Sequence, residues 1–369
     1  GTRVHEYGGK AYAVHHGLIV FSDRTDGRVY AFDTSDARRG VRPLTPLSKV
    51  RYGDFWIADV RDLVYAVAED HSGEGEPVNS IVAIPLDGSA ARDNDAVIPV
   101  FGGTDFAQAP TVSPDGTKLA WLSWNHPNMP WTYSQLHVAS LTFEGRIDRE
   151  VVLVDQPGVC VYEPRWTLDG ELIHVDDSSG WANLYRTQGF TWNEGEDPNA
   201  WTSRLRTRAL HPGTRAFSHP HWHLGLHSYD NFDNDYLVCS WAEDQVWHIG
   251  TVRIDNGLTE EWATGWWPIG NVAAADGRVV FLADSATHTP AIIEVSRGKT
   301  KVLRPSSEAE VPTALVSTAE MITWKTQDGE DAHGFYYAPV NPDFEAPEGE
   351  LPPLIVNVHG GPTEAARPG

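Results

Sequence analysis

Near its end the sequence runs an apolar, strand-like segment, LIVNV at 354–358, into His359-Gly360-Gly361-Pro362. Two adjacent glycines after a buried strand expose backbone N–H groups that no Cβ shields. Such donors suit the oxyanion that forms when a nucleophile adds to an acyl carbonyl. The nucleophile this chemistry asks for, a serine on a G-x-S-x-G elbow, occurs nowhere in the 369 residues. The pattern predicts an accessory domain joined to the opening strands of a catalytic domain whose triad follows Gly369. By itself the chain is expected to be inactive.

Two other clusters could hold a metal, and neither reads well. In HPHWHLGLH, a strand would place His219, His221 and His223 on one face, because residues two apart point the same way. No carboxylate or cysteine nearby completes a ligand set, and Trp222 sits where a blade strand wants an aromatic residue. The run DNFDND at 230–235 has carboxylates but lacks the glycine and closing glutamate of a calcium loop, so it reads as a turn. No metal and no cofactor are expected. Cys160 and Cys239, each inside an apolar run, predict buried thiols and a reducing, cytoplasmic setting. Acidic residues outnumber basic ones, 51 to 28, giving a net charge of -23 that argues against nucleic acid or an anionic membrane as partner. No apolar run reaches membrane-spanning length.

The elements that would position such chemistry are short strands. With 33 glycines, 25 prolines and 15 tryptophans, no long window keeps a helical period uninterrupted. A module recurs instead: short strand, tight turn, apolar strand, variable loop, strand of alternating aromatic and aliphatic residues. Its best copies are PTVSPDGTKLAWLSW with its continuation to Asp155, and PRWTLDGELIHVDDSSGWANLYR at 164–186. Asp-Gly between alternating apolar runs is a strong hairpin signal. Further copies begin near residues 11, 54, 220 and 271, which makes six. Repeats of four strands, none able to bury both faces alone, predict an all-β propeller over 1–304. The segment PSSEAEVP reads as a linker over 305–320. From 321 to 369 follow a hairpin about Asp328-Gly329, a Pro-rich loop and LIVNV, the order in which an α/β-hydrolase sheet begins.

Taken together, RVHEYGG (3–9), FSDRTDGRVYAFD (21–33), SPDGTKLAWLSWNHPNMPW (113–131), EPRWTLDG (163–170), SGWANLYR (179–186) and VNVHGGPT (356–363) resemble the prolyl oligopeptidase family of serine peptidases. The likeness is to the branch of acylaminoacyl peptidases and dipeptidyl-aminopeptidase-like enzymes. SPDG alone is weak; VHEYGG, WNHPNMPW and VHGGP in this order are specific, and the likeness covers the whole chain. It implies a seven-bladed propeller whose first blade precedes Gly1, and a catalytic serine, acid and base that follow the HGGP turn.

The resemblance also implies roles. The Gly361 N–H would help bind the oxyanion, while His359 would orient the turn rather than act as the base. Glu6, and secondarily Glu163, would project from one propeller face toward the catalytic domain and pair with the free α-amino group of a substrate. The plainer role for Glu6 is to bond backbone N–H groups in a Gly-rich loop or to pair with Arg3. His126, Met129 and Trp131, on a loop stiffened by Pro127 and Pro130, would either wall a substrate pocket or pack against the catalytic domain. The implied function is a serine exopeptidase acting on short peptides or aminoacyl amides through an acyl-enzyme, the propeller restricting access. An acylaminoacyl-releasing enzyme or endo-oligopeptidase stays open within that class, a non-catalytic binding platform outside it. The implied partners are the catalytic domain and a peptide or aminoacyl amide; homo-oligomerisation stays open.

Overall fold

The computed structural model describes residues 1–191, 200–309, 311–361, 363 and 365–369; Pro362 of the glycine-rich turn falls outside them. Among the described residues lie six four-stranded antiparallel sheets, each pairing its strands in sequence order. This is the six-bladed all-β propeller that the repeats predict. Blade 1 opens with the strand Tyr12–His15, blade 2 with Val50–Ala58, blade 3 with Phe106–Val112, blade 4 with Val161–Trp166, blade 5 with Tyr229–Asn231 and blade 6 with Trp267–Ala275. The chain forms two compact units, one holding blades 1 to 4 up to His227, the other blades 5 and 6 with the C-terminal segment.

The core lies between blades. In the strand Lys118–Trp124, Leu119 and Trp121 pack with Ala58, Leu63 and Tyr65 of blade 2. The alternate residues Ala120 and Leu122 pack with Val161, Trp166 and Leu172 of blade 4. A strand alternates its side chains between two faces, so a blade with neighbours on both sides must be apolar at nearly every position. Burial of all seven residues of this strand follows. In the second unit, Val238 and Ile249 of blade 5 meet Val272, Phe281 and Ile293 of blade 6.

The Asp-Gly turns sit where expected. Asp276 and Gly277 both have positive φ, +51° and +70°, the two-residue turn that matches strand twist and favours this pair. The same turn in blade 1 is His16-Gly17.

Two expectations fail. Residues 219–223 form no strand, so His219, His221, Trp222 and His223 do not alternate across a sheet; blade 5 begins only at Tyr229. Alternating His and Trp mimics strand periodicity, but the segment is bonded elsewhere: Leu224 N–H donates to Gly8 O at 2.8 Å. LIVNV is neither buried nor a strand, because no strand among the described residues pairs with it. The DNFDND run is the end of one strand and a hairpin turn, closed by Phe232 N–H donating to Tyr236 O at 3.0 Å.

Candidate functional site

The glycines of VHEYGG exist for a close backbone approach. A Cβ on Gly9 would lie 2.2 Å from Leu224 O, and one on Gly8 2.4 Å from Thr2 O. Val4, buried against Val67 and Leu224, anchors the loop from beneath. His5 and Glu6 both take positive φ, +54° and +63°, which turns the Glu6 side chain out to solvent.

Glu6 is ion-paired there. Oε2 accepts from Arg3 Nη2 at 2.8 Å and Oε1 from Arg51 Nη1 at 3.2 Å. The Arg51 hydrogen bond first, and the Arg3 charge second, hold its carboxyl below the ordinary value. Arg51 is itself positioned from below by Glu69, buried at 4% exposure, whose Oε1 accepts from Arg51 at 3.1 Å. Glu69 Oε2 accepts from His5 N–H at 2.7 Å, and the His71 ring lies 2.6 Å from Oε1. Arg51 and Glu69 face each other across the first two strands of blade 2. The plain role foreseen for Glu6, pairing with Arg3, is thus present in the structure.

The other residues of the loop, His5 and Tyr7, contact aromatic rings. Tyr7 meets Trp222 edge-on at 6.1 Å, and Trp222 meets Trp131 at 4.3 Å. His126 packs edge-on against Phe106, which stacks on Trp124, and both Phe106 and Trp124 contact His5. Glu6, His126 and Trp131 therefore belong to one connected patch formed by residues 3–9, 124–131 and 222. Met129, half-buried in the same loop, closes it through its carbonyl, which accepts from Thr132 N–H at 2.9 Å.

Glu163 lies elsewhere, in a cavity lined by the first strands of blades 2 to 4. Asp54, Ala109 and Glu163 occupy one position in three successive blades, each at a register shift and each with φ between +52° and +56°. A bulge on an inner strand re-aims the side chain it carries. Asp54 uses this to join blades: Oδ2 accepts from Ala109 N–H at 2.6 Å, and Oδ1 pairs with Lys10 Nζ at 3.1 Å. In the second unit Asp230 joins blades without such a bulge, accepting from Ala274 N–H at 3.0 Å. Glu163 accepts from Ser218 Oγ at 2.7 Å and lies 3.4 Å from His221 Nε2. The cavity is also lined by Lys10, Trp56, Arg165 and His227. Burial, then the Arg165 charge, pushes the His227 imidazole below its ordinary value, so it stays neutral near pH 7.

His359 and Gly361 belong to the second unit. Both are exposed; His359 Nδ1 lies 2.8 Å from Gly360 O, and Gly361 has φ +117°, which suits only glycine. Sequence reading missed Arg51, Glu69, Asp54 and His227. The one signal available was charge inside otherwise apolar strands, as with Glu69 at the end of LVYAVAED.

Inner strands carrying axial bulges, with cores between blades, define the chain as a β-propeller. No family model matches it, and no curated protein does. Among solved structures it is similar to a puromycin hydrolase, at 30% identity over 95% of this chain and 54% of that one, TM-score 0.82. A puromycin-hydrolyzing peptidase of Mycobacterium tuberculosis matches at 29% identity, over 95% and 54%, TM-score 0.82. A structure from an analysis of two prolyl endopeptidases shares the fold at 13% identity, over 91% of this chain and 47% of that one, TM-score 0.63. The chain spans about half the length of these proteins. The structures it matches carry propeller domains of the prolyl oligopeptidase family, in keeping with the resemblance read from the sequence. Among the described residues no helix is long and apolar enough to cross a membrane, and both cysteines are buried.

Proposed function

We propose that this chain is the propeller portion of a serine peptidase that removes residues from substrates with a free α-amino group, short peptides or aminoacyl amides. The observation that carries the reading is the loop in which Glu6, ion-paired with Arg3 and Arg51, is followed by Tyr7, whose ring meets Trp222 and through it Trp131. An ammonium is recognised by a carboxylate and by aromatic faces, and an apolar wall beside both receives a side chain. Two of the similar solved structures support the same class. Puromycin, named in their descriptions, is an aminoacyl amide with a free amino group.

In this reading Glu6 fixes the substrate's amino end, with Arg51 and Glu69 holding the carboxylate in place. The patch formed by His126, Met129 and Trp131 limits the first side chain. Gly361 contributes an N–H to the oxyanion hole of the hydrolase domain, and His359 braces that turn. Serine attack, collapse to an acyl-enzyme and hydrolysis then take place on residues of that domain. The propeller admits only short or unfolded chains.

Treating the full-length polypeptide with a fluorophosphonate probe tests the class. One covalent adduct on a serine, with loss of aminoacyl-anilide hydrolysis, is the expected result. A folded full-length protein that takes up no probe would support a non-catalytic binding platform instead.

A further inference from the structure

Away from this patch, at the far end of the first strand of blade 1, two imidazoles and a carboxylate converge. Neighbouring residues on a strand point to opposite faces, but His16 has φ +45° in the two-residue turn and its ring folds back over that of His15. The ring centroids are 4.0 Å apart. Opposite them stands Asp59, the first residue after the inner strand of blade 2. Its Oδ1 accepts from Val60 N–H at 2.9 Å. Its Oδ2 lies 3.1 Å from His15 Nε2 and 3.4 Å from His16 Nδ1.

We propose that His15, His16 and Asp59 form a divalent transition-metal site, with Zn²⁺ as the ligand it fits, clipping blade 1 to blade 2. The chemistry is that of zinc: two neutral imidazole nitrogens and one carboxylate oxygen, with a fourth position open to water. The spacing agrees. Ligands about 2.0 to 2.1 Å from a tetrahedral ion are separated by about 3.3 Å from one another, and the two measured edges fall on either side of that value. All three donor atoms lie within 4.8 Å of one another. The site needs no rearrangement of buried groups, since His16 and Asp59 are exposed and His15 half-exposed. A chain of net charge -23 also concentrates cations at its surface. A bound ion would bridge the turn of blade 1 and the connection after the first strand of blade 2 and so resist their separation.

The test is calorimetric titration of the EDTA-treated full-length protein with ZnCl₂, paired with a thermal melt. One bound equivalent, a raised Tm, and at least about a 10-fold loss of affinity in both His15→Ala and Asp59→Asn support the site. Replacing zinc by Co²⁺ should give the strong visible absorption of a four-coordinate ion in the parent protein and not in either variant. His15→Gln, which preserves size and polarity, should lose binding without loss of fold. No binding, or undiminished binding in these variants through others of the 16 histidines, overturns the proposal.

Discussion

Arg51 and Glu69 decide how Glu6 is presented, although neither stands out in the sequence. A lone exposed glutamate has many rotamers, and fixing one costs entropy that an exposed ion pair barely offsets. Clamping it through Arg51 onto a buried carboxylate makes the charge available in one place. Replacing Glu6 by Gln should raise KM for a free-amino substrate by about 10-fold with little change in kcat. Arg51→Ala should act in the same direction while leaving Glu6 intact. A change confined to kcat in steady-state kinetics would contradict a binding role. At the same scale, His227 ties stability to pH. Its folded value is depressed, so below the ordinary imidazole value of 6.5 the unfolded chain takes up protons that the folded one resists. His5, also lowered by burial and held against Glu69, acts in the same sense. Their contribution is complete above that value and is lost as pH falls through the folded values. Thermal melts from about pH 7.5 to 5 should show falling Tm, with a shallower fall in His227→Asn; parallel curves would refute the assignment.

Elements were legible wherever local chemistry dictates them. Asp-Gly turns between alternating runs marked the hairpins: at Asp276-Gly277 both residues take positive φ, while at Asp115-Gly116 and Asp169-Gly170 the glycine alone does. The inner-strand bulges were not legible. At Ala109 no turn residue announces the positive φ, and its N–H is bonded by the carboxylate of Asp54, a blade away. Tertiary bonding also explains the misreading of 219–223: within the run Trp222 N–H turns back to Pro220 O, and the next residue, Leu224, is tied to Gly8 and Gly9 instead of to a sheet. Asp54→Ala removes both the clamp on Ala109 and the partner of Lys10. Because Asp54 is 1% exposed, denaturant unfolding should show a loss of about 3 kcal/mol. Trp121→Ala, which empties the core between blades 2 and 3, should cost about 3 to 5 kcal/mol. Near-neutral values would mean that blades fold without these inter-blade contacts.

At the scale of each unit, a blade apolar on both faces cannot stand alone, so its sheets must fold against their neighbours to fix the loops in place. The loops at 3–9, 124–131 and 222 come from the start, middle and later part of the first unit. They meet only because blade order brings them together. This is why the sequence could name Glu6, His126 and Trp131 one by one yet could not say that Tyr7 and Trp222 lead from the loop at 3–9 to Trp131 while His5 and Phe106 lead to His126. The account's central claim is that this patch selects a free α-amino group. The direct test is kcat/KM of the full-length enzyme for an aminoacyl anilide against its N-acetyl derivative, repeated in Glu6→Gln. The account predicts a preference of about 10- to 100-fold for the free amine, reduced in the variant. Equal rates on both substrates, or faster release of the acetylated residue, would contradict it.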